Sequence, residues 1–360
     1  MEFSVLGVNM PSKQSKIRGM FLGVAIGDQL GRCAEGMTPA QIKKNYGRVI
    51  NYRRPVNRRW KNKKAKVWTD DNQLHLATAK GMIRAGKFDM ASIAKEHIKA
   101  YNESTEGWGG STREAVERLK SGVRWTDSGK TNKKDRGHGN GVVMKIGSLA
   151  LHNILINASS ADLYEKIIEF TLMTHYSFPA LAGSVSHVIG LEYCLNNNID
   201  DFAPIDMLHQ IYLELNHLPF LTQMWNHSEL VPSSYKRSYW WETSNGQIER
   251  EAPVELNMHK LLSFPAMKIQ HARAAFGRGD CLVYHSLPFA YYFFMRWASS
   301  FESVIRVINA GGDTDTTGSI VGALLGALHG EDIFPKHLIR NLQDPELVID
   351  TADRFYKTFA

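Results

Sequence analysis

The residues best suited to chemistry fall in two acidic clusters. One is Trp68-Thr69-Asp70-Asp71-Asn72-Gln73, and the other is Gly311-Gly312-Asp313-Thr314-Asp315-Thr316-Thr317. A lone Asp before a helix is usually an N-cap, held by orphan amides and favoured by the positive end of the helix dipole. Two pairs exceed what capping requires. If the clusters meet in space, four carboxylates repel one another unless they are protonated or neutralised by cations. Carboxylates and Thr hydroxyls are hard ligands, suited to magnesium, manganese or calcium rather than zinc. Cys33, Cys194 and Cys281 have no metal-ligand spacing, which agrees. Paired capping without a metal is the other reading of the same residues.

The elements that must position these clusters read as helices. Ile17, Met20, Phe21, Val24 and Leu30 share one helical face, and Leu74, Ala77, Met82 and Ile83 predict a second helix starting just after Asp71. Further helices are expected over 93–101, 111–119, 163–173 and 179–195, with irregular insertions at 36–66, 124–137 and 218–253. No alternating strand series and no solenoid-length repeat is present, so the expected fold class is all-α. The expected organisation is one domain over 1–360, with residues 1–13 as an N-terminal tail. Gly23, Gly27 and Gly31 recur every four residues, as do Gly318, Gly322, Gly326 and Gly330. Each glycine inside a helix costs about 1 kcal/mol relative to alanine, so the repetition needs a reason. Spacing of four places them on one stripe, where another backbone can approach closely. Both helices are therefore expected at the centre of the protein.

Asp313-x-Asp315-x-Thr317 also matches the aspartyl-nucleophile motif of haloacid-dehalogenase-like phosphatases. That motif belongs at the end of a parallel strand near the start of an α/β fold. Here it follows Asn309-Ala310-Gly311-Gly312 near the end of the sequence and opens a glycine-striped helix.

The 360 residues, 43% hydrophobic and 22% charged, suffice for a sizeable core. No run approaches the roughly 18 uncharged apolar residues of a membrane helix. The first residues lack the shape of a secretory signal, and three scattered cysteines read as reduced thiols, so a cytoplasmic protein is expected. The net charge of +7 is uneven. Arg53, Arg54, Arg58, Arg59, Lys61, Lys63, Lys64 and Lys66 follow one another with no acid among them. This block is either a solvated loop or a guide for a polyanionic partner.

Six segments in order give the chain a specific resemblance. They are Gly23-Val-Ala-Ile-Gly27-Asp28-Gln-Leu-Gly31 with Glu35-Gly36, Thr69 to Gln73, Gly107-Trp108-Gly109-Gly110, Gly139-Asn140-Gly141-Val-Val-Met144, Thr174-His175, and Asn309 to Thr317. The sequence resembles the ADP-ribosylglycohydrolase family, which includes dinitrogenase-reductase-activating glycohydrolase. The resemblance implies an all-α orthogonal helical bundle with a dimetal cleft. It implies two magnesium ions, with manganese as a substitute, on Thr69, Asp70, Asp71, Asp313, Asp315 and Thr316, Asp315 bridging. It further implies Glu35 on a mobile loop over the metals, from which it would act as acid or base, and Glu35 and Asp315 are the expected catalytic residues. Gly139, Asn140 and Gly141 would cradle the diphosphate, and Gly109 and Gly110 would also face substrate. His138 is read as stacking near the adenosine or as a plain loop residue. His175 is read as touching substrate or as a satisfied core histidine. Asp28 is either an orienting group behind the ligands or a buried packing residue. Asn72 and Lys145 depart from the commonly found Thr and Arg without removing a ligand.

The implied reaction is release of ADP-ribose from an acceptor, which is an ADP-ribosylated protein, nucleic acid or small molecule. The alternatives are an ADP-ribose-binding protein without turnover and a toxin-immunity protein that occludes an ADP-ribosyltransferase partner. No membrane partner is expected.

Overall fold

The computed structural model describes residues 11–56, 67–133, 136–216, 241–242, 248–249 and 253–360. Its axis is a pair of helices, Lys13–Gly31 and Thr314–His329. The first is capped by Ser12, whose hydroxyl accepts from the Ser15 amide, and is buried from Gly19 to its end. The two run antiparallel with glycine against glycine. A Cβ added to Gly23 would lie 2.0 Å from the Gly322 carbonyl oxygen, and one on Gly27 would lie 2.2 Å from that of Gly318. Backbone meets backbone along the stripe, as its spacing predicts. Gly19 extends the contact by one turn onto Gly326. Gly330 lies just beyond the second helix as its C-cap, with φ 77°.

Other helices wrap this pair. Phe178–Asn196, Val283–Arg296 and Glu302–Asn309 cover the second helix, and Pro345–Phe359 and Asp70–Ala85 cover the first. Phe289, Tyr291, Phe293 and Phe294 fill the space between them without exposure to solvent. The fold is all-α, as expected. Among the described residues, extended pairing is confined to Trp241–Glu242 with Ile248–Glu249 and two isolated bridges. No helix among those residues is long and apolar enough to cross a membrane.

Three local expectations are corrected. The helix Asp70–Ala85 starts at Asp70, so both aspartates lie in its first turn rather than before it. The early start is possible because Asp28, from another helix, accepts from the Thr69 and Asn72 amides and caps this helix from outside. The 36–66 insertion contains the helix Pro39–Tyr46, which opens on a Thr38/Gln41 capping box with Pro39 at its first position. Its polar composition hides it, since only Ile42 faces the core. The 124–137 insertion holds the short helix Trp125–Ser128. Arg53 and Arg54 of the basic block are exposed. Its other members, Arg58 to Lys66, lie outside the described residues, as do most of 218–253 and residues 1–10 of the tail.

Candidate active site

The glycine contact sets the site. Gly31 packs on the main chain of Thr314, and this brings Asp28 of one helix beside Asp315 of the other. Asp71 joins them from the first turn of Asp70–Ala85. Each of Asp28, Asp71 and Asp315 offers a carboxylate oxygen, all three lying within 4.8 Å of one another, and all three residues are buried.

The hydrogen bonds sort these acids into roles. Asp28 accepts from the Thr69 amide at 2.8 and 2.9 Å, the Thr69 hydroxyl at 2.8 Å and the Asn72 amide at 3.0 Å. Both its oxygens are thus engaged in holding the Thr69–Asn72 turn. Asp71 Oδ2 lies 3.4 Å from Thr69 Oγ1 and 3.3 Å from Thr316 Oγ1. Its Oδ1 is buried without a partner. Asp313 accepts from Asn140 Nδ2 at 2.8 Å, while its amide donates to the Gly279 carbonyl. Neither Thr69 nor Asp313, the N-cap residues of the two helices, caps its helix through its side chain. Capping therefore does not explain the clusters. Nor does the phosphatase motif, because Asp313 opens a helix and ends no strand.

Burial makes this arrangement costly while the acids are ionised. Burial first, and then the Asp315 charge, push Asp28 up to about 8. Asp71 is raised well above the usual carboxylate range by burial and by Asp28, Asp315, Asp70 and Asp313. Asp313 is raised by burial, Asp315 and Glu35. A cation among these oxygens would remove both the repulsion and the orphaned Asp71 Oδ1. The donor set is all oxygen, so the residues fit a hard divalent ion.

Asp71 and Asp315 line a cleft of about 600 Å³, while Asp28 is fully buried and does not line it. Glu35, Asp70, Asp71, Asp313, Asp315 and Thr316 all line it. So do Gly109, Gly110, Gly139, Asn140, Gly141 and His175. Two expected site residues lie off the wall. Thr69 stands behind Asp71, held by Asp28. His138 is half-buried, and its carbonyl accepts from the Val283 amide. Glu35 follows the 3-10 turn Arg32–Ala34 and is half-buried. The resemblance places it on a mobile loop. In this structure the next two residues are tied to Gly312, which accepts from the Gly36 amide at 2.8 Å and donates to the Met37 carbonyl at 3.0 Å.

His175 is 2% exposed, and its Nδ1 lies 3.0 Å from Thr174 Oγ1, which also accepts from Lys145 Nζ at 2.9 Å. Burial, Lys145 and His138 hold it well below the usual histidine range. Gly107, at φ 87°, leaves the space that Asp70 occupies, since a Cβ there would fall 2.5 Å from Asp70 Oδ1. Sequence reasoning missed the cleft's arginines, Arg136, Arg273 and Arg278. The Gly277-Arg278-Gly279 triplet was the available signal for a special turn at the site.

A family model described as ADP-ribosylglycohydrolase matches residues 9–360. The chain belongs to the ADP-ribosylglycohydrolase family. It is 24% identical to ADP-ribosylhydrolase ARH3 of Xenopus tropicalis, over 91% of this chain and 90% of that protein. It is 23% identical to ADP-ribosyl-[dinitrogen reductase] glycohydrolase of Rhodospirillum rubrum, over 92% of each. A solved structure described as an ADP-ribosylglycohydrolase-related protein complex superposes with a TM-score of 0.67 at 21% identity, over 97% of this chain and 99% of that one. As an ADP-ribosylglycohydrolase, the protein is a hydrolase of ADP-ribose linkages.

Proposed function

We propose that the protein is a magnesium-dependent hydrolase that cleaves the glycosidic bond between ADP-ribose and an acceptor, which is a protein, a nucleic acid or a small molecule. The observation that carries this reading is the buried, unpartnered Asp71 Oδ1 within a group of carboxylates that repel one another. Thr69, Asp70, Asp71, Asp313, Asp315 and Thr316 would hold two ions, with manganese as a substitute. Bound there, the ions supply Lewis acidity toward the ribose hydroxyls and a nearby water. Asp28 orients the set by fixing the Thr69 hydroxyl and the first turn behind it. Asn140 Nδ2 holds Asp313 by donating to its carboxylate. The Asn140 amide is donated to the Cys281 carbonyl, so the diphosphate would rest on the Gly139 and Gly141 main chain of this glycine-rich turn. Glu35 stands close enough to Asp313 to raise it, and its carboxyl is the group that holds or moves the proton at the leaving side.

Glu35→Gln keeps shape and removes proton transfer. It is expected to lower kcat roughly 100-fold or more while ADP-ribose affinity, measured by calorimetry, stays within about twofold. Unchanged turnover would leave Glu35 as a wall residue and sink its assignment. Gly107→Ala tests the metal from behind, because its Cβ would displace Asp70. Magnesium affinity is expected to fall about 10-fold or more, as for other residues that orient ligands. An unaltered magnesium titration would show that Asp70 does not hold an ion.

A further inference from the structure

The cleft has a second charged wall, opposite in sign to its acidic floor. Arg273 and Arg278 both line it. Neither side chain forms an ion pair, hydrogen bond or ring contact among the described residues, and Arg273 Nη1 is buried without a hydrogen-bond partner. The nearest acid in sequence, Asp280, lines the same cleft but pairs with neither arginine, accepting from the Leu282 amide at 3.0 Å and contacting His285 Nδ1 at 3.0 Å. Arg278 stands at φ 63°, a left-handed conformation that glycine or asparagine adopts far more readily. The turn that imposes it is wedged against Gly312, where a Cβ would fall 2.4 Å from the Arg278 carbonyl oxygen. This places the turn next to Asp313. Arg273 is half-buried with one unsatisfied nitrogen, and burial and then the Arg278 charge lower its basicity, while the exposed Arg278 sits on a left-handed backbone. Such features persist at sites where a ligand relieves their cost.

We propose that Arg273 and Arg278 form an oxyanion-binding wall that grips a phosphate of the substrate. Guanidinium forks match phosphate oxygens in pairs, and an anion between them would satisfy Arg273 Nη1 and screen the two charges from each other. Two sources of phosphate are available in the proposed reaction, on which this inference rests: the diphosphate of the ADP-ribose and a phosphate carried by the acceptor.

The test uses the full chain with Arg273→Met, Arg278→Gly (which suits the left-handed backbone) and the double variant. Thermal unfolding without ligand is the first readout. Tm is expected to hold or rise, because the unsatisfied Arg273 Nη1 is removed in one variant and backbone strain at Arg278 is relieved in the other. A fall in both single variants would make the arginines structural and overturn the proposal. The second readout is ADP-ribose affinity by calorimetry, beside kcat/KM for an ADP-ribosylated peptide free of phosphate and an ADP-ribosylated oligonucleotide. If the wall takes the diphosphate, ADP-ribose affinity and both substrates fall together by about tenfold. If it takes an acceptor phosphate, ADP-ribose affinity holds and only the oligonucleotide loses about tenfold. Three unchanged values in the double variant would overturn the proposal. A wild type that binds ADP-ribose in a variant-sensitive way but releases none from either substrate would contradict the hydrolase reading and leave the anion wall standing.

Discussion

Asp315→Ala is expected to lower turnover by about a thousandfold or more, roughly 4 kcal/mol of transition-state stabilisation. Asp315 lies in the first turn of Thr314–His329 and belongs to the three-carboxylate group with Asp28 and Asp71. As the proposed bridge between two ions, it has no substitute among the neighbouring oxygens. A second variant separates metal binding from folding. Asp315→Asn keeps the shape and removes a charge that, after burial, is the next cause of the upward shifts of Asp28 and Asp313. Tm in chelator is therefore expected to rise above wild type, while the stabilisation that magnesium gives wild type is lost. Thermal scans with and without magnesium, beside steady-state rates, check both. An inactive variant that unfolds earlier than wild type in chelator would mean that Asp315 supports the fold rather than a cation.

Gly322→Ala is expected to destabilise the protein by about 3 kcal/mol or more, the upper range of overpacking effects. On helix propensity alone the same change would stabilise by about 1 kcal/mol. Contact decides the sign. The new Cβ would lie 2.1 Å from the Gly23 carbonyl oxygen and 2.7 Å from its carbon. Both are backbone atoms, so no rotamer change relieves the clash and the helices must separate. Separation would also draw Asp28 away from Asp315, so activity should fall with stability. Gly86→Ala is the control. Gly86 has φ 65° but nothing within 4 Å of an added Cβ, so only backbone strain of about 1–2 kcal/mol is expected. Urea unfolding of the two variants compares them directly. Equal losses would mean that the stripe is not a packing contact.

Much of this arrangement was legible in the residues because the signals are local or periodic. The glycine stripes announced a close helix pair, and the two acidic clusters stood at helix starts. What was not legible depends on convergence between distant segments. Asp28 read as either an orienting group or a buried packing residue, and only the fold shows it capping a helix that begins 42 positions later, at Asp70. Arg273 gave no pattern of its own and Arg278 only its two flanking glycines, since the meaning of both comes from facing the cleft. The Pro39–Tyr46 helix was missed for a different reason. Its capping box was readable, but one buried side chain gives too little periodicity to outweigh a polar composition.

The most direct measurement is release of free ADP-ribose from a panel of substrates linked through arginine, serine, a nucleobase and a small molecule. The purified chain would be stripped with chelator, assayed, and assayed again after magnesium is restored. The expected result is no release from stripped protein and recovery with magnesium on at least one linkage, at a rate that saturates as the metal sites fill. Equal release with and without chelator would contradict a reaction that depends on the cations held by Asp70, Asp71, Asp313 and Asp315.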